Sequence, residues 1–278
     1  MAAQGSRAKR LIKVAVKAAV RTAGGLAPRR GGDSRILTYH SVGSREHEMN
    51  VSVEAFRAQM AWLAEHCRPI PLAEAAQAAP GVAVTFDDGY RDNLTHAAPV
   101  LHEFGIPATV FVVAGRMGGM LDHDHDPATS SLLTWDEARE LASAGVEIGA
   151  HSMSHRRLAH LDPAEQRDEI AESARLIERH LGAPPASFAY PFGAATDYTE
   201  TTVRLVRECG FTCAVSNRYG TNRAGADAWT LRRIWIDATD SPASFRAKVD
   251  GRLDWLAALD SAWGVAARRR LNRLLRTG

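Results

Sequence analysis

The sequence predicts a parallel α/β fold. Three observations carry that expectation. After Asp33, short apolar runs of strand character alternate with amphipathic segments of helical period, the pattern of strands joined by crossover helices. Helix start and stop signals fall between the apolar runs. Polar, chemistry-bearing residues stand where those runs end, as they do in α/β barrels, whose reactive groups gather at the carboxyl ends of the strands.

Seven runs read as strands: Ile36–His40, Val82–Phe86, Ala108–Ala114, Glu147–His151, Ser187–Tyr190, Cys213–Ser216 and Leu231–Asp237. Between them, Thr134 with Glu137 forms a capping box, and Gly145 closes the helix that it opens. Asp162-Pro163 opens the next helix, with Glu165 at its third position and Gly182 past its end. A helix over Thr199 to Cys209 stops at Gly210, and Ser241-Pro242 opens the last one. No internal repeat is evident.

A chain of 278 residues with a formal net charge of +2 suffices for one sizeable domain with a full core. The charge is unevenly placed. Residues 1–33 carry Arg7, Lys9, Arg10, Lys13, Lys17, Arg21, Arg29 and Arg30 before the first acid, Asp33. Arg268, Arg269, Arg270, Arg273 and Arg276 crowd the other end. The expected organisation is therefore a basic amphipathic segment over residues 1–33, the main domain over 34–250 and a basic helical tail over 251–278. Lys13 and Lys17 interrupt what would be the apolar stretch of a secretory signal. Leu11, Ile12, Val14, Ala15, Ala18 and Ala19 recur at helical spacing, which fits peripheral contact with an anionic membrane surface. No apolar run approaches a transmembrane length. Cys67, Cys209 and Cys213 show no CxxC spacing and read as reduced packing residues in a cytoplasmic protein. The basic residues lie in the tails, on no base-reading motif, so no nucleic-acid partner is expected.

The chemistry concentrates in two places. The run from Val82 ends in Thr85-Phe86-Asp87-Asp88-Gly89-Tyr90, and the run from Val146 ends in His151-Ser152-Met153-Ser154-His155. Carboxylates and imidazoles at the ends of buried strands are costly unless they bind or react. Two histidines and one aspartate make a three-ligand site that leaves a position open on a divalent metal. The spare carboxylate suits a general base. Adjacent strand residues point to opposite faces, so Asp87 and Asp88 share a pocket only if the strand stops there, and Gly89 permits the turn. His151 and His155, at i and i+4, are expected on one face of a helical turn. A second cluster, Asp122-His123-Asp124-His125-Asp126, is expected in a solvated loop.

TFDDG followed by HSxSH resembles the polysaccharide deacetylases of carbohydrate esterase family 4, the NodB homology domain, over roughly Arg35 to Phe245. The resemblance implies a distorted, incomplete (β/α)7 barrel that removes acetyl groups from N-acetylated sugars with a divalent metal, commonly Zn2+. It implies Asp88, His151 and His155 as metal ligands and Asp87 as base. Two departures stand out. Where the family usually reads Arg-x-Pro-Tyr, this chain reads Ala189-Tyr190-Pro191-Phe192. The backbone N–H of Phe192 preserves an oxyanion donor, but the arginine that orients the base must come from elsewhere. Arg232 and Arg233 are the candidates, with Arg233 favoured. The family's late acid histidine is also missing, since no histidine follows His180. His40, ending the first strand, is the replacement acid or a pocket-lining group, and Asp237 could assist. Tyr190 and Trp235, with Trp135 and Phe192, are expected to form an aromatic floor for sugar rings. The expected partner is an N-acetylated sugar in a glycan or a nucleotide- or lipid-linked precursor. The rival readings are an amidohydrolase of the same fold acting on a ureide or imide, and a catalytically impaired glycan-binding module.

Overall fold

The computed structural model describes residues 32–45, 47–124 and 126–260. Residues 1–31 of the expected basic N-terminal segment and 261–278 of the expected tail lie outside them.

Among the described residues nine strands form: β1 (Ser34–Tyr39), β2 (Ser41–Val42), β3 (Asn50–Val51), β4 (Gly81–Phe86), β5 (Ala108–Val112), β6 (Glu147–Ala150), β7 (Ser187–Ala189), β8 (Cys213–Tyr219) and β9 (Leu231–Trp235). β2 and β3 pair only with each other, while the other seven close into a barrel in the order β1-β4-β5-β6-β7-β8-β9. Every neighbouring pair in the ring is parallel, and Leu37↔Ile234 with Thr38↔Trp235 seals it. This is the seven-stranded α/β barrel of the sequence reading, one strand short of the eightfold form. Its distortion has two sources: β6 and β7 share a single residue pair, Ala150↔Phe188, and the β8–β9 register shifts between Val215 and Tyr219.

The helix signals are used as their chemistry dictates. Thr134 and Glu137 satisfy each other's backbone donors at the start of Trp135–Ser143. Asp162 does the same with Glu165 for Pro163–Leu181, and Gly182 ends that helix at φ +80°. Thr199 caps Glu200–Glu208, and Ser241 caps Pro242–Val249. Cys67, Cys209 and Cys213 are free thiols.

Strand alternation sorts the core into two layers. Leu37, Val84, Val110, Val112, Ile148, Phe188, Ala214 and Ile234 pack outward under the helices. Ile36, Ala83, Phe111, Ala189, Cys213, Val215 and Leu231 fill the barrel. Gly149 belongs to the inner layer by necessity, because a Cβ there would sit 2.5 Å from the Phe111 ring and 2.8 Å from Ser187 Oγ. The 3-10 helix Asp254–Asp260 packs on the outside, where Asp254 takes both Arg35 guanidinium nitrogens at 2.9 and 3.0 Å and Leu253 is buried.

Candidate active site

Two residues beyond each inward-facing Thr38, Thr85, Gly149 and Leu231 stand His40, Asp87, His151 and Arg233. The period of two thus places all four at the inner rim, three at carboxyl ends and Arg233 one turn of the pleat below. The two sequence clusters and the last strand therefore meet in one place, 64 to 146 residues apart in the chain.

β4 stops at Phe86, and Asp88 and Gly89 take left-handed backbone angles, φ +72° and +73°. That turn brings Asp88 to the same rim as Asp87. Asp88 Oδ1 lies 3.6 Å from His151 Nε2 and 3.3 Å from His155 Nε2, and one ligand atom from each of the three residues falls within 4.8 Å of the others. The His151–His155 segment is not the expected helical turn. It is a loop with Ser152 at φ +64° and His155 at φ +61°, and these two left-handed residues, rather than a helical repeat, swing the second imidazole back beside the first. Glu169, on Pro163–Leu181, holds the loop by accepting the N–H groups of Met153 and Ser154 at 3.0 and 2.9 Å, and the Ser154 hydroxyl.

This donor set fits a divalent cation. His151 Nδ1 lies 2.8 Å from the Ala189 carbonyl, which can only accept, so Nδ1 carries the proton and Nε2 presents a lone pair. That lone pair faces Asp88 Oδ1, which is buried without a hydrogen-bond partner among the described residues. Burial, then the Asp87 and Asp124 carboxylates, pushes the Asp88 carboxyl well above its usual range. Burial holds both imidazoles low, His155 to about 2. A carboxylate that resists ionising beside two imidazoles that resist protonation needs a positive charge, and a metal ion supplies one.

Asp87 is the opposite case. Burial raises its carboxyl, but the charge and hydrogen bonds of Arg233, with His151 and His40, together outweigh burial and hold it well below the ordinary carboxylate range. Arg233 is fully buried, and its five N–H donors are all used: Nε to Ser216 O, Nη1 to Asp87 Oδ1 and Thr85 Oγ1, Nη2 to Asp87 Oδ2 and Asn217 Oδ1. The geometry thus places Arg233, not Arg232, against Asp87. Arg232 turns outward and donates to the Tyr219 carbonyl.

His40 Nε2 is 4.0 Å from Asp87 Oδ2, and burial lowers its imidazole to about 4. Phe192 sits at φ +61° with its backbone N–H unpartnered among the described residues, and its ring lies 4.7 Å from that of His155. Trp235 is 45% exposed at the end of β9, with its indole N–H on the Asn217 carbonyl. Tyr190 is a correction. It is fully buried, stacked on Tyr198 at 4.3 Å with its hydroxyl on the Trp229 carbonyl, so it packs the barrel wall and presents no face to a sugar. Two lesser expectations also change. Trp135 stacks on His180 between two helices, and Asp237 caps its own turn through Thr239.

The 122–126 cluster is not simply solvated. Asp124 is buried, paired with Arg45, and accepts the Tyr90 hydroxyl at 2.9 Å. Asp126 caps Pro127–Ser130. Glu169 and Asn217 carried no assignment in the sequence reading. Glu169 had left a trace: Gln166, Glu169, Ile170, Ser173 and Ile177 form the buried stripe of an amphipathic helix, and a carboxylate in such a stripe needs a partner. Asn217 had none, since an asparagine in a strand of ordinary character signals nothing by itself.

Known proteins share this arrangement of elements. A family model for polysaccharide deacetylases matches residues 75–214. YxkH of Bacillus subtilis, which carries that family's name, is 29% identical over 224 residues, 77% of this chain and 75% of its own length. The poly-β-1,6-N-acetyl-D-glucosamine N-deacetylase of Escherichia coli is 30% identical over 138 residues, 42% of this chain and 20% of its own length. Among solved structures, IcaB from Ammonifex degensii superposes with a TM-score of 0.67 at 27% identity, covering 85% of this chain and 100% of that one. The Streptococcus pyogenes deacetylase PplD superposes at 0.68 and 22% identity, covering 79% and 99%.

Proposed function

The chain belongs to the polysaccharide deacetylase family, hydrolases of carbon–nitrogen bonds, and from that premise we propose that it removes N-acetyl groups from an N-acetylated sugar within a glycan or glycan precursor. One observation carries the reading: a carboxylate held ionised by Arg233 stands beside a second carboxylate that faces the Nε2 atoms of two imidazoles.

Asp88, His151 and His155 would hold the cation, Zn2+ in this reading, which supplies Lewis acidity: a water acidified toward pH 7 and a polarised amide carbonyl. Asp87 accepts the proton of the attacking water, and Arg233 fixes the direction of its oxygens. The Phe192 N–H stabilises the developing oxyanion, a contribution of about 3 kcal/mol for a well-placed donor. His40 is neutral at pH 7, so it does not begin as the acid. It is more basic than Asp87, however, and the proton that Asp87 collects passes to it across a gap one water can bridge. The resulting imidazolium is strongly acidic and protonates the leaving amine. Trp235 offers an exposed ring for a sugar face.

Relatives named for poly-β-1,6-N-acetyl-D-glucosamine and chitooligosaccharides supply the first substrates to assay. Acetate release from both polymers, with metal analysis, tests the proposal. The expected result is release that a chelator abolishes and zinc restores. A fully metallated protein that releases no acetate from either, or release that survives complete chelation, overturns it. The basic segment over residues 1–33 supports a further part of the reading, a cytoplasmic enzyme in peripheral contact with anionic membrane. Failure to co-sediment with phosphatidylglycerol vesicles at low salt would remove that part alone.

A further inference from the structure

The oxyanion donor assigned above sits on a strained residue. A φ of +61° is uncommon for an aromatic side chain and persists only where surrounding contacts impose it. The contacts on its ring come from one loop, the same loop that carries His155. The Arg157 guanidinium lies 3.8 Å from the centroid of the Phe192 ring, and the His155 imidazole touches that ring at 4.7 Å. Arg157 is itself anchored, since Nη1 donates to Asp197 Oδ1 and Asp197 is only 3% exposed.

Asp197 joins the two loops. Its Oδ2 accepts the Ala194 N–H at 2.9 Å, its own N–H returns to the Ala194 carbonyl at 2.9 Å, and its carbonyl accepts the Ala159 N–H at 2.9 Å. Asn217 Nδ2 holds the Phe192 carbonyl at 3.1 Å. The carbonyl and ring of residue 192 are therefore fixed, and the N–H is the group left without a partner among the described residues.

We propose that Arg157 is a positioning residue. Clamped by Asp197, it presses the Phe192 ring toward His155 and keeps residue 192 in the left-handed conformation that leaves its N–H free for the oxyanion. The inference rests on the deacetylase reading for the role of that N–H, though the clamp itself does not. A planar guanidinium covers an aromatic face while donating in its own plane, which an ammonium cannot do. Arg157→Lys therefore keeps the charge and loses most of the clamp.

The test uses the full chain with Arg157→Ala, Arg157→Lys and Asp197→Asn. The last removes the anchoring charge but leaves an oxygen for the Ala194 N–H, so it serves should the alanine variant fail to fold. Hydrogen exchange of residues 190–197 is read on metal-free protein, and kcat, KM and metal content on the loaded enzyme. The expected result for Arg157→Ala is faster exchange in 190–197, unchanged metal content, and kcat lower by about tenfold with KM within about twofold. Tenfold is part of the roughly 10²–10³ that full loss of an oxyanion donor costs. The lysine and asparagine variants should fall between alanine and wild type. Unchanged exchange, unchanged kcat, a rise in KM with kcat intact, or loss of metal would each overturn the assignment. If the wild-type chain releases no acetate, the deacetylase reading fails, and exchange in 190–197 still decides whether Arg157 holds the loop.

Discussion

Arg233 Nη1 and Nη2 meet Asp87 Oδ1 and Oδ2 at 2.7 and 2.6 Å, a two-pronged contact between residues 146 positions apart and both buried inside the barrel. Parallel N–H···O bonds of this kind fix direction as well as charge. Removing one partner leaves the other buried and uncompensated, at a cost of about 3–5 kcal/mol. Arg233→Lys is therefore expected to lower stability by several kcal/mol in urea titration, because one ammonium cannot replace five planar donors. It should also cut kcat by about 10² or more, since it leaves Asp87 misaimed. A lysine variant with wild-type stability and turnover would show that the guanidinium is not what orients the base.

Adjacent aspartates should fail in different ways. Asp87→Asn keeps the three groups that face one another and removes the proposed proton acceptor, so metal content should stay near wild type while kcat falls by about 10²–10⁴. Asp88→Asn removes the buried carboxylate oxygen that faces both imidazoles, so metal content and turnover should fall together. Metal analysis beside acetate release separates the two. Identical metal loss in both variants would erase the division of labour between residues 87 and 88.

The ring, the helix caps and the convergence of Asp88, His151 and His155 were all legible in the sequence, because each rests on a local rule. Alternation marks strands, Thr134 with Glu137 and Asp162 with Glu165 mark helix starts, and a polar pair at the end of an apolar run marks a site. The identity of the orienting arginine was legible only as a choice of two, which strand phase decides: Arg233 shares the inward face with Leu231, and Arg232 does not. Tyr190 misled for the same reason in reverse. It follows an inward residue, Ala189, and so belongs to the outer layer with Phe188 and Tyr198. Glu169 and Asn217 act on loops far away in sequence, and such long-range contacts leave little local pattern to read.

Metal-free protein should lose stability on acidification from near neutrality. His40 and His155 are lowered to about 4 and about 2, and His151 is also lowered, all chiefly by burial. For each, the unfolded chain binds a proton near pH 6.5 that the folded one refuses, so stability is full above that pH and falls as pH drops toward the folded value. Asp88 works the other way, because its raised carboxyl binds a proton when folded, and its contribution falls as pH rises. Asp92, raised to about 6 by burial, adds to Asp88 below that pH, but His40, His47, His151 and His155 outnumber these two carboxyls between pH 6.5 and 4, so the net slope is positive. Tm of chelated protein should therefore rise from pH 4.5 to 6.5. A flat or falling Tm across that window would contradict the burial of neutral imidazoles.

Gly149 offers a test of the barrel that does not involve chemistry at all. It faces inward on β6, and a methyl group there would stand 2.5 and 2.6 Å from two Phe111 ring carbons and 2.8 Å from Ser187 Oγ. Phe111 is fully buried, and Ser187 Oγ donates to Glu147 Oε1 at 2.7 Å, so neither neighbour is free to retreat. Overpacking of this kind typically costs about 1–3 kcal/mol. The cost falls where the barrel is weakest, because β6 and β7 share only Ala150↔Phe188. His151 follows Ala150 directly, so opening that seam also moves a metal-facing imidazole whose Nδ1 rests on Ala189 of β7. Gly149→Ala is thus expected to lower Tm by several degrees and to weaken metal binding, although residue 149 touches no part of the site. Phe111→Leu in the same background should restore much of both losses by vacating the space. If Gly149→Ala keeps wild-type Tm and metal affinity, the inner layer is looser than these distances allow.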